Sequence, residues 1–257
     1  MKYINKKLSI EKVTVENVAK RYKTPTYCYS YKQLKENIEN FKKNFKSFSP
    51  LICFSVKSNT NVNLIKEISK LGLGADVVSV GELMTAIKAG IKPKKIVFSG
   101  VGKTAEEIEL AVKKKVLLIN IESESEANLV NKISKKVRKK TSVGIRLNPD
   151  VIGITHKKIS TGSKKDKFGL NFNDFIMLCK KINKMKNLNL EGISVHIGSQ
   201  ITNTKPFKET LDVVNKIINK ININFKYVDL GGGMGIPYSN KGKMLDLKKY
   251  SKIVSNF

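Results

Sequence analysis

Short apolar, β-branched runs alternate with amphipathic stretches along most of this sequence. The runs are Leu51–Lys57, Gly74–Ser79, Lys95–Gly100, Val116–Glu122, Ser142–Asn148, Leu190–Gly198 and Tyr227–Gly232. Each is nearly continuous in apolar residues, as in strands buried on both faces of a parallel sheet. Between them, Asn63–Leu71, Gly81–Ala89, Ala105–Lys114, Glu124–Lys136, Asp174–Lys184 and Thr204–Asn219 repeat apolar positions at helical spacing. Strand plus helix recurs at about the length of one βα unit. A longer gap holds an extra loop, Pro149–Leu170. One more short strand, Thr26–Tyr31, is predicted outside this series.

Repeated βα units in one direction build either an open doubly wound sheet or a closed barrel. Polar and glycine positions fall at the C-terminal ends of nearly all the strands: Lys57, Ser79, Ser99–Gly100, Glu122, Arg146–Asn148, His196–Gly198 and Gly231–Gly233. In a barrel these ends meet around one site, whereas in an open sheet they spread along an edge. The prediction is therefore an α/β fold, a (β/α)8 TIM-type barrel with about seven βα units. The stretch up to Phe257 reads as helix, so the eighth strand is missing.

Composition narrows the function. The 257 residues are 40% hydrophobic, enough for a large domain with its own core. The net charge of +28 raises the possibility of a nucleic-acid partner. Yet of the 49 Lys and Arg residues only Arg21, Arg138 and Arg146 are arginines, and the lysines run along the whole chain. Base reading and bidentate phosphate clamps favour arginine, so the expectation is a solvated lysine surface and no specific nucleic acid. No apolar run approaches the length needed to span a bilayer, and the N-terminus lacks a secretory h-region. Cys28, Cys53 and Cys179 are odd in number and lack CxxC spacing. They fit a reducing cytoplasm better than a disulfide framework or a zinc site.

Four segments carry candidate chemistry. Lys57, in CFSVKSNTN, ends a buried run. Burial at a barrel mouth favours the neutral amine that a Schiff-base lysine needs, although an ordinary lysine leaving a strand reads the same way. Gly231, Gly232 and Gly233, in VDLGGGMG, follow a strand directly and let backbone N–H groups approach an anion, most plausibly a phosphate. A tight turn is the alternative. His196, in SVHIGSQ, is one of two histidines; it suits ring stacking, base catalysis or a purely structural role. The loop holding Arg146–Asn148, Pro149, His156, Thr161–Gly162 and Lys167–Gly169 faces the same side. SGVGKT, 99 to 104, looks like a nucleotide P-loop, but that pattern needs glycine where Val97 stands.

In order, FSVKSN, GADVVSVGEL, FSGVGKT, INIES, RLNPDV with HKKISTG and KFGL, VHIGSQI and VDLGGGMGIPY resemble diaminopimelate decarboxylases. These are pyridoxal-phosphate enzymes of the alanine-racemase-like barrel class. The resemblance runs from about Thr24 to Tyr238. It implies a cofactor, pyridoxal 5′-phosphate, and roles at matching positions. Lys57 would hold the cofactor as a Schiff base and His196 would stack on its ring. Ser199 with the backbone of Gly231, Gly232 and Gly233 would hold the phosphate. Asp76 would lie near the cofactor and Arg146 would line the site. Lys57 and His196 are the catalytic expectations, with no metal.

The implied reaction is decarboxylation of meso-diaminopimelate to L-lysine and carbon dioxide, by a homodimer with a small amino-acid substrate. An ornithine- or arginine-type decarboxylase and a non-enzymatic pyridoxal-phosphate barrel are the alternatives. The resemblance also implies an N-terminal segment, 1–31, belonging partly to a β domain, ahead of a barrel over 32–257. Members of the family continue into an eighth strand with an EPGR-type motif and a C-terminal β domain that adds a catalytic cysteine. The expectation is a barrel cut short at its C-terminus, which puts activity of this chain by itself in doubt.

Overall fold

The structure, a computed structural model, describes residues 1–152, 162, 167–238 and 242–257. His156 and Thr161, and with them most of HKKISTG, lie outside the described residues. The chain forms two compact units, Met1–Ser49 and Pro50–Phe257.

The first unit opens with an antiparallel meander, β1 (Lys2–Ile4), β2 (Lys7–Ile10) and β3 (Val13–Thr14). Two helices follow, α1 (Val15–Tyr22) and α2 (Tyr31–Asn44). Thr26–Tyr31 is not the strand the sequence suggested. It is irregular backbone running into α2, whose N-cap Ser30 accepts from the Gln33 N–H. The aromatic run there reads as strand by composition, but among the described residues no strand pairs with it.

The second unit holds one seven-stranded sheet in the order β10-β9-β8-β7-β6-β5-β4. The strands are β4 (Cys53–Ser55), β5 (Gly74–Val77), β6 (Ile96–Phe98), β7 (Leu118–Ile121), β8 (Thr141–Leu147), β9 (Leu188–Val195) and β10 (Tyr227–Asp229). All six pairings are parallel. The crossovers are α3 (Val62–Lys70), α4 (Val80–Lys88), α5 (Ala105–Lys114), α6 (Glu124–Val137), α7 (Phe172–Ile182) and α8 (Lys205–Ile221). A last helix is α9 (Leu247–Ser255). Each of the seven expected strands is present, as are the six expected helices.

Why these segments settle as they do is local. Strands such as β7 are buried at every position, because side chains on one face fill the sheet's concave side and those on the other meet helices. The turn from strand to helix is closed by side chains at N-cap positions: Asn61, Ser79, Thr104, Ser123 and Asn171 each accept from the first turn of their helix. Thr104 and Glu107 form a complete capping box.

The sheet is curled. In a flat sheet β7 and β10 would lie three strand spacings apart, roughly 14 Å. Instead Asn120 Nδ2 on β7 donates to Asp229 Oδ2 on β10 at 3.0 Å. The Asp229 charge also reaches Cys53 on β4, whose thiol is pushed up to about 12 chiefly by burial and further by Asp229 and Asp76. The result is a partial (β/α) barrel of seven strands. Among the described residues no eighth strand pairs with β10 or β4.

Candidate active site

The C-terminal ends of the strands converge on one rim. At the end of β4 the chain enters a 3-10 turn, Val56–Ser58, that carries Lys57. Lys57 is exposed, which corrects the expectation of burial. The strand stops at Ser55, so the lysine emerges on the rim rather than between strands. Its charge acts on both Asp76 and His196, which sets these three groups around one space.

Asp76, on β5, accepts from Ser99 Oγ at 2.7 Å and Ser55 Oγ at 3.2 Å. Burial holds its carboxyl above the usual range and the Asp229 charge adds to this; the two hydroxyls and Lys57 oppose it. His196 lies just past β9. Burial, then the charges of Arg146 and Lys57, pull it down to about 4. The imidazole is therefore neutral at pH 7. Its Nδ1 accepts the Gly232 N–H at 3.2 Å, which leaves the ring proton on Nε2.

Arg146, on β8, pairs through Nη1 with Glu122 Oε1 at 3.0 Å. Glu122 is buried, and its other oxygen accepts the Gly169 N–H at 3.0 Å. The Arg146 guanidinium lies over the Phe168 ring, 4.9 Å from its centroid. One buried carboxylate thus fastens both the arginine and the KFG segment that follows the long loop. Next to it, Lys103 of SGVGKT is buried and donates to Glu126 Oε1 at 2.6 Å and to the Asn120 carbonyl at 2.7 Å. All that lysine's charge is spent inside the protein, so it does not serve a nucleotide.

The glycine loop after β10 and the loop after β9 are bonded into one layer. Ile201 N donates to the Gly233 carbonyl and Gly235 N to the Ile201 carbonyl, at 2.9 and 2.8 Å. Gln200 Oε1 accepts from Ile236 N at 2.9 Å. Gly233 has φ 84°, and a Cβ there would sit 1.8 Å from the Gly198 carbonyl oxygen. Only glycine lets the loops meet so closely. At Gly232 the opposite holds: an added Cβ would meet nothing within 4 Å. Among the described residues neither the Gly233 N–H nor the Ser199 hydroxyl has a hydrogen-bond partner. Open space beside uncommitted backbone and hydroxyl donors has the polarity that suits an anion.

Five polar residues missed from sequence alone complete the interior: Ser55, Asn120, Ser194, Asp229 and, as a partner rather than a strand-end marker, Ser99. The signal lay in the strands themselves. A lone polar residue inside INI or YVD has to point into the barrel with partners, because burial without them is costly.

A curled βα barrel thus carries a lysine, a neutral histidine, an arginine and a glycine loop at one rim. The family "Pyridoxal-dependent decarboxylase, pyridoxal binding domain" matches residues 31–257, and the chain belongs to it. Pyridoxal phosphate is the cofactor that membership implies. The chain is 41% identical over 246 residues to the diaminopimelate decarboxylase of Aquifex aeolicus, covering 95% of this chain and 58% of that protein. It is 38% identical to that of Helicobacter pylori strain J99, covering 94% and 60%. In structure it superimposes on the Helicobacter pylori diaminopimelate decarboxylase complexed with L-lysine, with TM-score 0.90 and 37% identity, over 94% of this chain and 62% of that one. The chain thus spans about 60% of the length of these relatives. No helix among the described residues is long and apolar enough to cross a membrane.

Proposed function

We propose that this chain forms the cofactor-binding barrel of a decarboxylase acting on meso-diaminopimelate, releasing carbon dioxide and L-lysine. The observation that carries the reading is the grouping of Lys57, Asp76 and His196 beside an open glycine cradle, in a chain whose relatives are diaminopimelate decarboxylases.

The residues present fit the cofactor. Lys57 has an exposed amine able to condense with the aldehyde. His196, uncharged, offers a flat face to the ring without repelling a pyridinium. The Gly233 N–H and the Ser199 hydroxyl supply donors to the phosphate beside the open face of Gly232, while Asp229 and His196 hold the Gly231 and Gly232 N–H groups and so shape the loop. The chemistry a bound pyridoxal phosphate supplies is an electron sink for the pair left when the Cα–carboxylate bond breaks. The chain's own part is placement. Lys57 holds the reacting end at the strand rim, close to the Asp76 carboxylate. Arg146, fastened by Glu122 and Phe168, holds positive charge at the site with little freedom to move. The neutral His196 keeps its proton on Nε2 and its Nδ1 on the glycine loop, so ring and cradle are held in one register.

We read the enzyme as a cytoplasmic homodimer with a small amino-acid substrate. The segment ahead of the barrel, 1–31, is read as belonging partly to a β domain. The test is to add pyridoxal phosphate, reduce with borohydride and map the modified lysines by mass spectrometry. Labelling concentrated at Lys57 and lost in Lys57→Ala is expected. Diffuse labelling unchanged by that substitution would overturn the reading.

A further inference from the structure

A hydrogen-bonded chain crosses the inside of the barrel. Ser55 Oγ and Ser99 Oγ donate to Asp76. Asn120 Nδ2 donates to Ser99 Oγ at 3.2 Å and to Asp229 Oδ2 at 3.0 Å. Ser194 Oγ donates to the same Asp229 oxygen at 3.0 Å. The other Asp229 oxygen, Oδ1, accepts the Gly231 N–H at 2.9 Å. Strands β4, β5, β7, β9 and β10 each contribute one member, and Ser99 follows β6 directly.

Two features show that this chain is specified rather than incidental. Asn120 is 1% exposed, and its Oδ1 is a buried side-chain acceptor with no partner. Both amide protons are committed to Ser99 and Asp229, so the carbonyl end is left unsatisfied. An orphaned buried acceptor costs about 1–3 kcal/mol. Rotating the amide would satisfy nothing better, because it would turn the oxygen toward the Asp229 carboxylate. Room for this orientation exists only because residue 144 is glycine: a Cβ there would lie 2.5 Å from Asn120 Oδ1. The second feature is the end point. Asp229 is the last residue of β10, and through Gly231 it sets the first turn of the glycine loop, where φ is 66°.

We propose that Asp229 is a positioning residue for the phosphate cradle: its carboxylate, aimed by Asn120 and Ser194, fixes the Gly231 turn and with it the donors of the glycine loop. The proposal rests on the cofactor reading above. It assigns to the barrel interior the work of joining the lysine side of the site, at Asp76, to the phosphate side, at β10. Asp229 does not itself touch the cofactor. It acts through backbone geometry, which the Asp229→Asn change disturbs: an amide nitrogen cannot accept from both Asn120 and Ser194, so either the Gly231 bond or the Asn120 bond is lost.

The test compares pyridoxal phosphate with pyridoxal, which has the same aldehyde and ring and lacks the phosphate. Equilibrium uptake of each is measured by absorbance for the full chain and for the Asp229→Asn and Ser194→Ala variants. Hydrogen exchange of the peptide covering 228–236 is followed without ligand. A positioning role predicts about tenfold weaker pyridoxal phosphate uptake in Asp229→Asn and severalfold weaker in Ser194→Ala. Pyridoxal uptake should stay unchanged, and the Gly231 amide should exchange faster in both variants. Ser194→Ala, which only removes one donor, decides the matter if Asp229→Asn fails to fold. Folded variants that keep the wild-type ratio of the two affinities, in a wild type that prefers pyridoxal phosphate, overturn this proposal and leave the cofactor reading standing. A wild type that shows no preference for the phosphorylated form overturns both.

Discussion

His196 illustrates how much a single side chain is set by its surroundings. Its folded value lies near 4 because burial and two neighbouring cations disfavour the imidazolium, whereas in the unfolded chain it titrates near its ordinary value of about 6.5. Between those values the unfolded state binds the proton and the folded state does not. Stability therefore rises with pH across that window. The contribution of His196 is fully present above about 6.5 and is lost as the pH falls toward 4. Replacing His196 with Asn keeps an acceptor for the Gly232 N–H and removes the titration. Urea unfolding at pH 7.5 and pH 5 should show the wild type losing more stability on acidification than His196→Asn. Equal losses would mean that the imidazole is as well hydrated folded as unfolded. At this scale the sequence was partly legible. Asp76 is marked only by the family resemblance, whereas Lys57, Arg146, His196 and the glycines stand out by residue type at strand ends. Asn120 and Asp229 do not, because strand alternation shows that a side chain points inward but not which partner it meets there.

Elements meet at the site through the two loops after β9 and β10, and their glycines divide the labour. At Gly233 a side chain collides with the Gly198 backbone, and φ is positive. Gly233→Ala must therefore push the loops apart, breaking the Ile201 N–Gly233 carbonyl bond, and should destabilise the protein by about 2 kcal/mol or more. Gly232 has open space beyond it. Gly232→Ala should leave stability within about 0.5 kcal/mol of wild type and yet weaken pyridoxal phosphate uptake, because the methyl group stands where the anion has to approach. Urea midpoints and cofactor titrations on the two variants separate packing from binding. If both variants lose stability alike, the space beside Gly232 is filled by protein in solution.

The same scale shows why the barrel strands were readable and the first unit was not. Parallel strands buried on both faces appear as unbroken apolar runs, and their helices keep a 3.6-residue stripe. The meander β1–β3 is short and mostly exposed, so neither signal marks it, and the aromatic stretch near Thr26–Tyr31 drew the strand prediction instead.

Across the whole molecule the net charge of +28 opposes compaction. With 49 basic and 21 acidic residues, most lysines have no carboxylate to meet. The ion pairs divide by environment. Pairs such as Lys20–Glu16 and Lys208–Asp212 are exposed and contribute little in water. Lys103–Glu126 and Arg146–Glu122 are buried at the rim of the barrel, where salt screens them only weakly. Added salt therefore removes long-range repulsion among surface lysines while the two internal pairs persist. The melting temperature should climb by several degrees as sodium chloride rises from ~0.02 M to ~0.3 M, over which the screening length falls from roughly 20 Å to below 10 Å. Differential scanning fluorimetry reads this directly. Substituting Lys103→Met removes a buried partner of Glu126 and should lower the melting temperature at every salt concentration without changing the slope. A melting temperature that falls with salt in the wild type would mean that attractive surface pairs outweigh the repulsion, and that the lysine excess is organised rather than spread.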